Sequence, residues 1–159
     1  MEQCGSGREN ACKSSAVAHP VQCFIGHLSA RDHVRLPRDS ISVCLSPLET
    51  RATVEFGDFG LDEATMDGER LEGMDLEPVA LVIDALRARA RSALNFKAVI
   101  KNDFPLESVD ASSSVFASLS LAVCEALGLD IELRELSRVA MLCVPSAGGS
   151  LTGYFSRFR

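Results

Sequence analysis

The sequence predicts an α/β sandwich (α+β sandwich), a mixed or antiparallel sheet with helices on one face. Three observations carry this reading: two-residue apolar alternation in the first half, helical spacing of apolar residues in the second, and a composition that supports one core. Hydrophobic residues are 47% and charged residues 24% of the 159, the balance of a globular domain rather than of a disordered chain. A chain of this length is expected to form one domain.

Residues 1–18 are polar, contain Gly and Ser, and lack the apolar segment of a secretory leader. They are expected to be a disordered tail ahead of a cytoplasmic domain at 19–159. From Asp39, alternation at Ile41, Val43 and Leu45, a turn through Pro47 to Thr50, and alternation at Ala52, Val54 and Phe56 predict a β-hairpin with one buried face. Met66-Asp67-Gly68-Glu69 predicts a second, shorter hairpin, because Asp-Gly supplies the positive φ of a type I′ turn.

Glu77-Pro78 opens a helix with Pro at its first position, where the missing N–H has no intrahelical partner. Val79, Val82, Ile83, Leu86 and Ala90 form its buried stripe. Phe96, Ala98 and Ile100 alternate with Lys97, Val99 and Lys101, a strand that ends before Asn102-Asp103-Phe104-Pro105. A serine-rich turn follows, then a helix of about sixteen residues carrying Phe116, Leu119, Val123 and Ala126, stopped by Gly128. Asp130 is the expected N-cap of a third helix with Leu136, Val139, Ala140 and Cys143, ended by Pro145. The last residues, SAGGSLTGYFSRFR, show no closing element after Phe155. An open apolar edge at 154–158 is therefore expected, and with it association with another polypeptide or a second copy.

Several functions are disfavoured. The net charge is −6 and no run of five basic residues occurs, so nucleic-acid binding is not expected. Arg87, Arg89 and Arg91 read as a solvated helix face. The longest apolar run, Val139 to Val144, is far below the ~20 residues a bilayer demands. Cys44, Cys124 and Cys143 lie in apolar-periodic segments as free thiols. Cys4, Cys12, His19, Cys23, His27 and His33 are donors without a CxxC pair to set metal geometry, so no metal site is expected. There is no Walker A loop, GxGxxG or HExxH motif, and the histidines have no nucleophile partner at a diagnostic spacing.

Two segments remain as candidate sites. Phe104 to Phe116 runs from a loop into a helix start, where unpaired N–H groups and the dipole attract anions. Ser112, Ser113 and Ser114 there serve either a phosphate or the capping of the helix itself. Pro145 to Ser150 is either a second small-residue cradle or a glycine turn.

Taken in order, the motifs resemble the mevalonate diphosphate decarboxylases and archaeal phosphomevalonate decarboxylases of the GHMP kinase superfamily. The resemblance runs through His19-Pro20-Val21-Gln22, Arg31-Asp32, Leu36-Pro37, Asp39 to Val43, Thr53 to Phe56, Asn102 to Pro105, the three serines, Phe116-Ala117, Ala126 to Asp130, Glu135 to Ser137, Ser146-Ala147, Ser150-Leu151 and Gly153. It implies a ribosomal S5 domain 2-like fold. It also implies a reaction in which ATP, with Mg2+, phosphorylates the tertiary hydroxyl of a phosphorylated mevalonate, after which phosphate and carbon dioxide leave. By position, Ser112, Ser113 and Ser114 match the nucleotide-phosphate loop, and Ser146 and Ser150 the loop that holds the substrate phosphate.

The departures from the family pattern bear on activity. The glycine-rich approach is replaced by Ser108 to Ala111, which places Asp110 beside a polyphosphate. Gly26-His27 stands where the family has Lys-Tyr, Ala30 replaces a later Lys or Met, and Gly149 replaces an arginine. The family's catalytic aspartate belongs to a C-terminal domain, so no catalytic residue is expected here. The chain alone is expected to be inactive, and either a separate C-terminal-domain chain or a homodimer is the expected partner. The other expectation is a non-catalytic scaffold module that keeps the fold and has lost its ligands.

Overall fold

Strand β4, Thr50–Gly57, is the spine of the domain. Its buried Ala52, Val54 and Phe56 alternate with Arg51, Thr53 and Glu55, so one face is apolar. The computed structural model describes residues 12–25, 40–105, 111–153 and 155–158. Strand β4 pairs antiparallel with β1 (Cys12–Ala18) on one edge and with β7 (Asn95–Asn102) on the other. Strand β5 (Glu63–Met66) lies parallel to β7, and β6 (Glu69–Arg70) closes the hairpin with β5. The order of this mixed sheet is β1-β4-β7-β5-β6. A second, antiparallel sheet has the order β2-β3-β8, built from Val21–Ile25, Ser40–Cys44 and Phe155–Phe158.

Helices α1 (Leu76–Ala90), α2 (Ala111–Ala126), α3 (Leu133–Ala140) and α4 (Ala147–Thr152) complete the layer. The inward residues of β4 and β7 form one core with Val82, Ile83 and Leu86 of α1 and Leu119, Val123 and Phe116 of α2. The other sheet face carries exposed Arg51, Lys97, Val99 and Lys101. The α/β layering is thus as expected. No helix among the described residues is long and apolar enough to cross a membrane.

Several local expectations are corrected. Residues 12–18 are not tail but β1, because a strand edge is filled by backbone hydrogen bonds and tolerates a Ser-rich sequence. Residues 1–11 lie outside the described residues. The two strands of the expected first hairpin both exist, yet they belong to different sheets. Both edges of β4 are taken, and the Leu45 N–H donates to Pro20 O at 2.9 Å, which carries β3 away with β2. On β3 the fully buried side chain is Ser42 rather than Ile41 or Val43. The second hairpin is as predicted, with Asp67 at φ 52° and Gly68 at φ 93°.

Helix α1 begins at Leu76, so Pro78 falls within its first turn, where an N–H is still dispensable. The serine-rich turn is the first turn of α2 itself. Helix α3 starts after Glu132, not Asp130, and ends at Ala140 ahead of Pro145. The glycine-rich segment 147–152 is helical, and β8 pairs with β3, so the end of the sequence is a paired strand rather than a segment without an element.

Arg87 is not solvated, since its side chain is only 17% exposed. Its guanidinium donates to both oxygens of Asp62 and to Leu94 O, each at 3.0 Å. It also pairs with Asp84 and lies 5.5 Å from the centroid of the Phe96 ring. Asp62 Oδ1 in turn accepts the Phe96 N–H at 2.9 Å, so one ion pair ties the β4–β5 loop, α1 and the start of β7. Hydrogen bonds to charged groups contribute roughly 1.5 to 3 kcal/mol. Arg87→Met should therefore lower the unfolding free energy by about 2 kcal/mol, a fall of about 6 °C in Tm for a domain of this size. A Tm within a degree of wild type in a thermal scan would show that the pair is energetically idle.

Candidate functional site

Helix α2 is buried on nearly every side, so its serines need partners inside the protein. Ser118 donates to Val115 O at 3.1 Å and Ser120 to Phe116 O at 2.7 Å. The three serines of the predicted phosphate loop diverge. Ser113 Oγ accepts the Val21 N–H at 3.2 Å, which ties α2 to β2. Ser114 Oγ lies 2.9 Å from Ala111 O and 2.7 Å from Thr50 Oγ1, which ties α2 to β4. Ser112 alone of the three is partly exposed, and it lines a pocket of about 520 Å3.

That pocket is apolar, walled by Met66 and Leu71 of the β5–β6 hairpin, by Pro78 and Val79 of α1, and by Val115 and Phe116 of α2. Asp75 is its one charged lining residue. A second pocket of about 590 Å3 lies on the other side of the hairpin tip, lined by Asp67, Gly68, Lys101, Asn102, Phe104 and Pro105. The sequence reading missed both pockets, as well as the role of Thr50. The paired signals at Asp67-Gly68 and at Asn102 to Pro105 were visible, but their proximity depends on the parallel β5–β7 pairing, which leaves no local trace.

Ser146 and Ser150 sit at the start and within α4, at 5% and 7% exposure. Ser150 Oγ has no hydrogen-bond partner, the one such buried side-chain atom among the described residues. Its neighbour Gly149 packs against β2 and β3. A Cβ built there would lie 3.1 Å from Ser42 Oγ and 3.2 Å from Val21 Cγ1. Because Val21 also donates to Ser113, the two serine segments meet across the first residue of β2. Asp110, Gly26, His27 and Ala30 lie outside the described residues, as do Cys4 and His33 of the donor set. His19 Nδ1–H donates to Leu48 O at 2.8 Å.

The thiols are packing groups. Burial pushes Cys44, Cys124 and Cys143 above the ordinary thiol range. The folded state thus favours the protonated thiol, a contribution present below the ordinary value of about 8.5 and lost as pH rises past it toward the folded value. At pH 8, these three should react with a thiol reagent more than tenfold slower in native than in urea-unfolded protein. Equal rates measured by mass spectrometry would show them to be open.

A buried hydroxyl without a partner costs about 1 to 3 kcal/mol. Ser150→Ala should therefore raise the unfolding free energy of the ligand-free chain by about 1 kcal/mol in a denaturant titration. A loss of stability would show that the hydroxyl is satisfied.

A mixed sheet backed by helices, with a buried helix opening its first turn onto a pocket and a serine-bearing helix beside it, defines an α/β domain. Residues 18–159 match the family described as diphosphomevalonate decarboxylase-like N-terminal domain. Phosphomevalonate decarboxylase of Haloferax volcanii is 36% identical over 148 residues, 91% of this chain and 46% of that protein. Mevalonate diphosphate decarboxylase of Staphylococcus aureus superposes with a TM-score of 0.86 at 27% identity, over 94% of this chain and 46% of that one. The Enterococcus faecalis enzyme, described with mevalonate diphosphate mediated ATP binding, gives 0.85 at 24% identity over 94% and 48%, a likeness of fold. The chain belongs to the diphosphomevalonate decarboxylase-like N-terminal domain family. It spans a little under half the length of the relatives it matches.

Proposed function

We propose that this chain is the nucleotide- and substrate-phosphate-binding half of an ATP-dependent decarboxylase acting on a phosphorylated mevalonate. The observation that carries this reading is the partnerless hydroxyl of Ser150, a buried donor beside the Val21–Ser113 junction that a substrate phosphate would satisfy. Ser146, at the N-terminal end of the same helix, is the second donor on that side. The nucleotide is assigned to the start of α2. The apolar pocket of about 520 Å3 suits a base, while the N–H groups of the first turn and the Ser112 hydroxyl take phosphate. Mg2+ bound with the nucleotide would offset the charge of the triphosphate, and Asp75 at the pocket wall makes that neutralisation more necessary.

In the reaction, these residues bind and orient. They would position the phosphoryl donor toward the tertiary hydroxyl, and the N–H groups of the first turn of α2 would face the charge that builds on the phosphates. The family resemblance assigns the catalytic aspartate to a C-terminal half, so residues 19–159 bind and orient, and turnover requires that half as well. The test is thermal unfolding with and without Mg-ATP. At a hundredfold excess over Kd the ligand stabilises by about 2.7 kcal/mol, a rise of about 5 to 10 °C. Ser112→Ala should reduce the rise. An unmoved midpoint in wild type would overturn nucleotide binding.

A second reading, a scaffold module without ligands, is favoured by one observation. Where the family pattern has an arginine, Gly149 is packed closely enough on the Ser42 and Val21 side chains that a Cβ there requires them to give by a few tenths of an ångström. Under the enzyme reading, Gly149→Arg should fold and bind a phosphorylated mevalonate more tightly than wild type. Under the scaffold reading it should only destabilise.

A further inference from the structure

Asp67 lies at the tip of the β5–β6 hairpin in a left-handed conformation, φ 52°, that Asp and Asn tolerate better than most residues. Three bonds moor it to β7. Its N–H donates to Ile100 O at 2.9 Å, and its carboxylate accepts the Asn102 N–H at 2.8 Å and Asn102 Nδ2–H at 2.9 Å. A carboxylate only accepts, so it fixes which way the Asn102 amide points and leaves Asn102 Oδ1 to take the proton of Thr50 at 2.6 Å. Thr50 has one proton. Its 2.7 Å contact with Ser114 therefore makes Ser114 the donor and draws that proton away from the Ala111 carbonyl. Thr50 and Ser114 are both 0% exposed, so the hydroxyl pair is sealed from water, and the other acceptor within reach of Ser114 is the Ala111 carbonyl at 2.9 Å.

We propose that Asp67 is a positioning residue that, through Asn102, Thr50 and Ser114, locks the hairpin and the first turn of α2 in one arrangement. Those two elements are opposite walls of the same pocket, with Met66 and Leu71 on one side and Ser112 and Phe116 on the other. The width of the slot therefore depends on a surface carboxylate that does not line it. That the slot takes a nucleotide rests on the function proposed above. The relay itself does not.

The experiment is amide hydrogen exchange on the full chain as wild type, Asp67→Ala and Asp67→Asn, together with Mg-ATP titration of each by calorimetry. Asp67→Ala should speed exchange at Val115, Phe116 and Ala117 about tenfold while amides of α3 keep their rates, and should weaken Mg-ATP by about tenfold, the order of one lost bond to a charged group. Asn keeps the left-handed turn and one acceptor oxygen, so Asp67→Asn should restore most of both effects. Unchanged exchange in α2, or equal acceleration in α2 and α3, would overturn the relay. A wild type that fails to bind Mg-ATP would remove the nucleotide reading, and the exchange rates would still decide the role of Asp67.

Discussion

A helix with neighbours on nearly every side obeys a constraint that the rest of this domain is built around. Helix α2 packs against β1 and β4 of the large sheet, against β2 of the small one, and against α1, α3 and α4. Of its sixteen residues, only Ser112, Leu121 and Glu125 are not fully buried. Small side chains are required where so many elements approach, and alanine and serine supply them. Serine is admissible only because its hydroxyl can be satisfied by a carbonyl one turn back or by a neighbouring strand. The cost of burying polar groups is met within the fold, and only the helix start is left to face a ligand.

That constraint explains why the three serines were legible as a feature while their separate partners were not. In sequence, Ser112 to Ser114 look like three equivalent donors beside a loop. In the fold, a helix turns each successive residue by about 100°, so the three point to different neighbours and two of them become part of the scaffold. The strand around Phe96 to Lys101, the Asp-Gly turn and the Val79, Val82, Ile83 and Leu86 stripe of α1 were read correctly because each is a local pattern. The pairing of β3 was not, because alternation reports that a strand has two faces and says nothing of which sheet receives it. The strand at 12–18 escaped for the opposite reason: its hold on β4 is made by backbone groups that every sequence possesses.

The two candidate binding regions are joined mechanically. Val21 begins β2, donates its N–H to Ser113 of α2, and presents its side chain toward Gly149 of α4. A shift of α4, such as an arginine at 149 would impose, cannot be confined to that helix. It pushes on Val21 and through it on the first turn of α2. A side chain at 149 is therefore felt on both sides of β2, at α4 and, through the Val21–Ser113 bond, at the start of α2.

The opposite end of α2's first turn is held by the Thr50–Ser114 bond, so this turn is gripped from two strands of two different sheets. Such a grip favours preorganisation, in which N–H groups are aimed before the ligand arrives and little entropy is lost on binding. It also limits adaptation. A turn tied at both Ser113 and Ser114 has only Ser112 and its backbone to offer a ligand, and the pocket beside it contains no described lysine or arginine. On the nucleotide reading proposed above, affinity for a polyanion would come from aligned N–H groups, from the metal that accompanies the phosphates, and from the apolar slot around the base. Of these three sources, only the first and third belong to the folded chain. On that reading, a ligand carrying phosphate without a base should gain little at this turn, and the base should dominate what the turn and its pocket recognise.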